Sequence, residues 1–384
     1  MLPLSYAYRN LWREPGRLAQ KVGGSFLVLF LILAAGAFND GMSGLLRASG
    51  SPHNVIFLGA GSEESVERSQ LAMQAEAMIQ AGVRGIAERA GVSAVSGEVH
   101  YNGLIAAPGA KPVQGLTRGV TSQAFEVHRE VRVLEGTWPV SGEVLVGRLA
   151  HHVLGVPAGA LEVGRTLAFE GETFRIAGRF DAEGTVMESE VWFIRSDLMT
   201  LIQRETLSCV VVRLENPGED AKHADLFARQ RLDLELTAIA EDAYYAQLAT
   251  FYGPIRSMTW LTAAMVAVGA VMGGLNMLYA SFASRVRELA TLQTLGYRRR
   301  AVLLSLIQES LLTQLVGLVL ALILGLLLID GAVVQFSMGT FRLELSPGVT
   351  LVAALAALLL GTLGTLPPAL RCLRLPVPVA LRSA

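Results

Sequence analysis

The lysines of this sequence decide whether the chain can hold a nucleotide. A phosphate-binding P-loop needs a Gly-Lys pair, because the lysine must reach the phosphates from a glycine-rich turn. The chain has three lysines, and none of them follows a glycine: Lys21, Lys111 and Lys222. We therefore expect no Walker-type ATP site, no ATP hydrolysis and no cofactor in this chain.

Metal ligands and catalytic nucleophiles are also sparse. No histidine has a partner at a zinc-like spacing, and the adjacent pair would point to opposite faces of a strand. The six histidines are His53, His100, His128, His151, His152 and His223. Cys209 lies in the strand-like stretch SCVVVRLE, which favours a buried structural thiol. We predict no metal site and no catalytic residue; a hydrolase built from dispersed residues is an alternative without a supporting motif.

Composition indicates a membrane protein. Hydrophobic residues make up 52% of the 384 residues and charged residues only 17%, and an apolar stretch of roughly 20 residues is enough to span a bilayer. Spans are predicted at residues 22–38, 257–283, 301–329 and 349–366. The first of these could instead be a cleavable signal peptide ending near Ala35-Gly36-Ala37, but the 21 residues before it favour a retained span.

The charges fix the predicted orientation. Three short segments, 1–21, 284–300 and 367–384, together hold twelve Lys and Arg against two Glu. Short loops rich in Lys and Arg stay in the cytoplasm. Both termini are therefore predicted on the cytoplasmic side of the membrane, with residues 39–256 and the short loop 330–348 outside.

The predicted fold class is an α-helical membrane protein with four transmembrane helices and a mixed α+β extracytoplasmic domain between spans 1 and 2. Within that domain we predict a long helix from Ser62 to Gly91 and a second helix over 221–232. Thr166–Phe180 alternates on both sides of Gly171, which predicts a hairpin.

Residues 285–300, RVRELATLQTLGYRRR, lie between spans two and three and hold five arginines. As a helix, the segment would place Val286, Leu289, Leu292 and Leu295 along one side, with Gly296 ending it. Such a helix either rests on the inner membrane surface or presents an apolar ridge to a cytosolic protein.

The same segment, with the start of the third span, resembles the signature of FtsX/MacB-type permeases of ABC transporters. The matching positions are Arg285, Arg287, Glu288, Leu289, Ala290, Leu292, Leu295, Gly296 and Glu309. Tyr297 departs from the pattern, where a small residue is usual. NLWREPGRLA, EVLVGRLAHHVLGVPAGALEVGRTLAFEGETFRIAGRF and LPPALRCLRLPVPVALR resemble further family pieces in the family's order, so the resemblance covers nearly the whole chain.

This resemblance implies a MacB-like core domain over residues 39–256 and a coupling helix over 284–300. The helix would dock on a separate cytosolic ABC ATPase subunit, which binds the ATP and magnesium. The implied docking residues are Arg285, Arg287, Glu288, Leu289, Leu292, Leu295 and Gly296. The resemblance also implies that the chain lies in the bacterial cytoplasmic (inner) membrane and pairs with a second copy of itself or with a related permease. It leaves open whether a periplasmic adaptor takes part, and it implies no nucleic acid partner.

Two features of the spans are candidate packing sites. Gly269 and Gly273 lie four residues apart in span two, which allows close helix approach either in a dimer or within one chain. Glu309 is the one charged residue of span three and needs a partner, for which an inner arginine is favoured.

Three functions follow as alternatives. The first is an ABC permease subunit that drives export, or extraction of a lipid, lipoprotein or small molecule. The second is an FtsX-like transmembrane switch that activates a cell-wall hydrolase. The third is a membrane receptor or scaffold that works without an ATPase. The large outer domain favours the first.

Overall fold

The computed structural model describes residues 4–336 and 339–382. These residues group into two compact units. The helical unit comprises the chain up to Gly41, Pro254–Ala332 and the chain from Leu343. The mixed unit comprises Met42–Gly253 and the hairpin between Val333 and Arg342.

The described residues form fourteen α-helices, numbered along the chain. They are α1 Leu4–Leu11, α2 Pro15–Ser49, α3 Gln74–Gly82, α4 Ala124–Val127, α5 Ala150–Val153, α6 Arg195–Leu201, α7 Glu219–Gln230, α8 Glu241–Phe251, α9 Gly253–Ala283, α10 Val286–Thr294, α11 Arg299–Leu328, α12 Pro347–Leu363, α13 Leu366–Leu373 and α14 Val377–Arg382. Two short 3-10 turns cover Ala158–Leu161 and Val186–Ser189.

The strands were numbered in the same way. They are β1 Asn54–Gly59, β2 Leu71–Ala72, β3 Glu88–Arg89, β4 Val92–Ser93, β5 Val95–Ala106, β6 Val113–Val120, β7 Arg132–Gly136, β8 Glu143–Gly147, β9 Thr166–Phe169, β10 Glu172–Asp181, β11 Val191–Ile194, β12 Thr206–Leu207, β13 Cys209–Arg213, β14 Leu236–Ala240, β15 Val333–Phe336 and β16 Gly339–Arg342.

Four helices are long and apolar enough to cross a membrane: α2, α9, α11, and α12 continued by α13. They correspond to the four predicted spans. The first predicted span, 22–38, lies inside the 35-residue helix α2, whose residues from Met42 onward belong to the mixed unit.

The core of the helical unit forms where α2, α11 and α12 cross. Leu29 and Leu33 of α2 are fully buried with Ala321 and Ala353 of the other two helices. Gly317 lets α11 approach α2, since a methyl group there would lie 2.7 Å from Cβ of Ser25. Helix α9 differs, because most of its central side chains are exposed.

The mixed unit is built on one ten-stranded sheet. Its strand order is β14-β1-β13-β5-β6-β11-β8-β10-β7, and β9 pairs with both β10 and β5. Six strands, β5, β6, β11, β8, β10 and β9, therefore close on themselves as a barrel. Phe169, Ile176 and Phe193 are fully buried in its core, while Trp192 on the neighbouring position of β11 packs against Phe180.

The predicted hairpin is present as β9 and β10. Glu170 and Gly171 connect the strands with φ of 48° and 91°, which is the combination that a two-residue type I′ turn requires. The second predicted helix is also present, as α7.

The predicted long helix from Ser62 is wrong over most of its length. Only Gln74–Gly82 is helical. Leu71 instead pairs with Leu207 in a short sheet, and the Ser69 hydroxyl accepts a hydrogen bond from the backbone of Gly59 at 2.9 Å. Tertiary pairing therefore overrides the helical pattern of this stretch.

The predicted short loop 330–348 contains the hairpin β15–β16, which belongs to the mixed unit. Thr340 and Phe341 are buried. A methyl group on Gly339 would lie 2.9 Å from the Ser189 hydroxyl oxygen, so the hairpin packs closely on the Val186–Ser189 turn. The mixed unit is therefore assembled from two separate parts of the chain.

Glu241 joins two segments of the mixed unit. Its carboxylate accepts hydrogen bonds from the backbone of Ser51, just beyond α2, and from the side chain of Asn54 on β1, at 3.1 and 2.9 Å. Burial raises the pKa of Glu241 to about 7, assisted by Glu130 and opposed by His128 and by these two hydrogen bonds.

We expect substitution of Gly317 by leucine to destabilise the helical unit. The new side chain would collide with Ser25 and the α2 backbone, and overpacking of this kind costs about 1–3 kcal/mol. Gly23→Leu is the matched control, because a methyl group there meets no described atom beyond its own helix within 4 Å. Equilibrium unfolding in mixed detergent micelles checks this; equal stability of the two variants would contradict the packing.

Glu241 should make stability depend on pH. A carboxyl group with a raised pKa binds its proton more tightly in the folded state, so its contribution is complete below its ordinary value of 4.5 and is lost as pH rises through about 7. The loss amounts to about 3 kcal/mol at most. Glu241→Gln should therefore flatten the decline in unfolding free energy between pH 5 and pH 8, whereas the exposed neighbour variant Asp242→Asn should keep the wild-type profile.

Candidate functional site

The predicted coupling segment forms the nine-residue helix α10, Val286–Thr294. Gly296 ends it with φ of 95°, a conformation that suits glycine. The backbone of Tyr297 donates a hydrogen bond to the carbonyl of Leu292 at 3.1 Å. The chain then turns directly into α11, so α10 is a short helix between the two long apolar helices α9 and α11.

The apolar side of α10 is buried within the chain's own helices. Leu289 is 3% exposed and packs with Phe282, Leu306 and Leu373. Leu292 is half-buried at the edge of the same cluster. Leu289 is therefore not on the surface: Leu289 and Leu292 pack α10 against α11 and α13, and Val286 packs it against α14. Docking through this stripe stays a prediction.

The exposed side of α10 is charged and polar, with one large apolar residue at its end. Arg287, Glu288 and Thr291 are exposed, and Leu295 is 71% exposed. Arg298, Arg299 and Arg300 follow as a basic cluster. We call this surface, Arg287, Glu288, Thr291, Leu295 and Gly296, the α10 face.

Arg285 is mostly buried and lies between Glu309 and the α10 face, because its Nε atom is also 3.5 Å from the Glu288 carboxylate. Its Nη1 atom lies 3.0 Å from the Glu309 carboxylate, and the two side chains are only 12% and 8% exposed. Asn10 of α1 donates to the same carboxylate at 2.6 Å, and Lys21 of α2 lies 3.6 Å from it. The expected arginine partner of Glu309 is confirmed, and four elements meet at this one carboxylate.

Sequence reasoning missed Asn10 and Lys21 as partners. They lie 299 and 288 positions from Glu309 along the chain, so no local spacing reports them. The one available signal was Lys21 itself, a charged residue at the start of an apolar span.

Gly269 and Gly273 are exposed on α9. No described atom beyond the helix's own backbone would lie within 4 Å of a methyl group built on either. Gly273 also lines a cavity of about 320 Å³ beside Lys21, Glu309 and Gln314. Of the two predicted uses of this glycine pair, packing within the chain does not occur among the described residues.

The mixed unit holds a second polar cluster, which the sequence did not reveal. Arg118 bonds Glu98 and Glu190 at 2.7 Å, and His128 bonds the other oxygen of Glu98 at 2.8 Å. Burial alone would raise the pKa of Glu98, but His128 and Arg118 lower it well below its ordinary value. Burial would lower the pKa of His128, but Glu98 and Glu130 raise it to about 10. The cluster is therefore held as paired charges.

Removal of either partner of the buried Arg285–Glu309 pair should destabilise the helical unit. Leaving one buried charge unpaired costs about 3–5 kcal/mol. Glu309→Gln should approach that loss, Arg285→Gln should cost less because Lys21 still lies 3.6 Å from the Glu309 carboxylate, and the double variant should cost less than the sum of the two. Glu288→Gln, which breaks a 3.1 Å surface pair with Arg13, should cost no more than about 1 kcal/mol. Equilibrium unfolding measures all four; additive losses would contradict direct pairing.

No match was found among curated proteins. Solved structures give remote similarities. The periplasmic region of MacB from Actinobacillus actinomycetemcomitans is 14% identical, covering 54% of this chain and 97% of its own, with a TM-score of 0.40. The extracellular domain of the noncanonic ABC-type transporter YknZ from Gram-positive bacteria is 12% identical, covering 48% and 99%, with a TM-score of 0.38.

The carboxyl-terminal part of the chain matches a family model. Residues 260–377 match the model of the FtsX-like permease C-terminal family. This range contains α10, the α10 face, Arg285 and Glu309. Over these residues the chain is similar to the FtsX-like permease C-terminal family, in agreement with the resemblance seen in the sequence.

Proposed function

We propose that this chain is the permease subunit of an ABC transporter, which passes ATP-driven motion from a separate cytosolic ATPase to its extracytoplasmic mixed unit. The observation that carries the proposal is the construction of α10. It presents a charged surface outward while its inner side and the Arg285–Glu309 pair fasten it to the long helices.

A docking element must move its neighbours when it is pushed. Leu289 packs α10 against α11 and α13, and Ala290 packs it against Ala380 of α14. Interlocked, buried contacts respond as a unit to a shift that favours one state. A displacement of the α10 face would therefore be carried into α9 and α11 as a rigid-body motion.

The basic segments around α1, α10 and α14 support a cytoplasmic position for α10 and both termini, in a bacterial inner membrane. The mixed unit would then lie outside. The ATPase partner would supply the ATP and magnesium, because this sequence holds no Gly-Lys pair.

A second copy of the chain is part of the proposal. Helix α9 leaves Met265, Val268 and Met272 exposed beside Gly269 and Gly273. A small-xxx-small pair allows two helices to approach closely in a membrane. A homodimer, or a dimer with a related permease, would cover this side of α9.

The α10 face supplies the test. Leu295→Asp should abolish ATPase activity that copurifies with the full-length chain from its native membranes, because it places a charge where an apolar contact is proposed. The matched control is Leu375→Asp, which makes the same change at an exposed residue outside α10. Copurified ATP hydrolysis is measured for wild type and both variants.

The outcomes of this experiment distinguish the proposed function from its alternatives. ATPase activity retained by wild type and Leu375→Asp but lost by Leu295→Asp supports the proposal. Absence of an ATPase from the wild-type preparation favours a receptor or scaffold. Equal activity in both variants refutes docking at the α10 face. A copurifying lipid, lipoprotein, small molecule or periplasmic adaptor indicates transport, whereas stimulation of a peptidoglycan hydrolase indicates an FtsX-like switch.

A further inference from the structure

Three potential metal ligands meet in the mixed unit through strand pairing. Cys209 of β13 lies opposite Glu98 of β5 in an antiparallel register, and His100 follows Glu98 by two residues on the same strand. The Nε2 atom of His100 lies 3.2 Å from Oε2 of Glu98 and 3.7 Å from Sγ of Cys209. One ligand atom from each residue lies within 4.8 Å of the other two.

These separations suit a tetrahedral cation. Zinc binds nitrogen and oxygen at about 2.0–2.2 Å and sulfur at about 2.3 Å. Tetrahedral angles then separate the ligand atoms of one zinc ion by roughly 3.3–3.6 Å. The two separations from His100 fall within a few tenths of an ångström of this range. The Glu98 oxygen and the Cys209 sulfur lie within 4.8 Å of each other, so side-chain rotation must bring this pair closer for all three to bind one ion.

Neighbouring side chains form hydrogen bonds with the carboxylate of Glu98 and with the backbone of His100. Arg118 and His128 each donate to Glu98, at 2.7 and 2.8 Å. The Ser208 hydroxyl accepts a hydrogen bond from the backbone of His100 at 2.8 Å. Hydrogen bonds to ligating carboxylates are typical of metal sites, because they fix the orientation of the ligand.

Glu98, His100 and Cys209 are mostly buried, but a cavity gives access to them. His100 lines a cavity of about 740 Å³, together with Arg118, Glu190, Tyr244 and Tyr245. A cation can approach His100 from this cavity, and a water molecule from it can complete a fourth position. Cys209 itself is 1% exposed, so the ion rather than the solvent would be its polar partner.

We propose that Glu98, His100 and Cys209 bind one zinc ion in the mixed unit. Cys209 loses its proton to solvent as the sulfur binds, and neutral His100 keeps its proton on Nδ1 while Nε2 binds the metal. The ion adds two positive charges and the thiolate removes one. The gain of one positive charge lies beside Glu98 and Glu190, which attract it, and beside Arg118 and His128, which repel it.

The alternative is a buried structural thiol beside a paired glutamate, with no metal affinity. Cobalt distinguishes the two, because Co²⁺ bound to a thiolate gives an intense charge-transfer absorption in the near ultraviolet. The full-length chain, stripped of metal with a chelator, is titrated with Co²⁺ and then with Zn²⁺. We expect one equivalent of Co²⁺ to produce the thiolate band and Zn²⁺ to displace it.

Variants assign the ligands. Cys209→Ser should abolish the band, and His100→Gln should weaken Co²⁺ binding at least about tenfold. The control Cys372→Ser removes the other cysteine and should bind Co²⁺ as the wild type does. Zn²⁺ should also raise the melting temperature of wild type and Cys372→Ser but not of Cys209→Ser. Metal-free melting curves show whether each variant is folded.

Two results would overturn the site. The first is wild-type protein that gives no thiolate band with Co²⁺, which needs no variant to interpret. The second is a band that disappears in Cys372→Ser and persists in Cys209→Ser. Neither result bears on ATPase docking, so the site and the transporter role are tested separately.

Discussion

The buried carboxylate of Glu309 is the constraint on which the helical unit depends. A charge among apolar helices is costly unless it is paired, and here Arg285, Asn10 and Lys21 all reach it. Satisfying one carboxylate therefore fixes α1, α2 and the start of α10 on α11. The position of the α10 face follows from this requirement, since the helix that carries it begins directly after Arg285.

The mixed unit satisfies its polar groups by a similar principle on a different scaffold. Glu98, Arg118, Glu190 and His128 are buried, and each is paired with an opposite charge. The neighbouring barrel strands β5 and β6 bring Glu98 and Arg118 together. In both units, a buried charged network specifies where elements from distant parts of the chain must meet.

Local signals in the sequence predicted local structure well. Gly296 ends α10 as expected, Glu170–Gly171 forms the hairpin turn, and the apolar stretches coincide with the long helices. The stretch from Ser62 was wrong because Leu71 pairs with a strand more than 130 residues away. An apolar stripe on α10 was predicted correctly, but its periodicity could not tell whether the chain itself or a partner covers it. Long-range pairing likewise hid the meeting of Glu98, His100 and Cys209.

Closure of the barrel limits how a peptide could join this fold. Every strand in the ring has at least two neighbouring strands, so in the described sheet only β14 and β7 have a single neighbour. All five residues of β7 are exposed, and its charged side chains, Arg132 and Glu135, discourage indiscriminate pairing. A peptide strand added at the border of this sheet would therefore pair with β14 or β7, and both are so short that few backbone hydrogen bonds would set the selectivity.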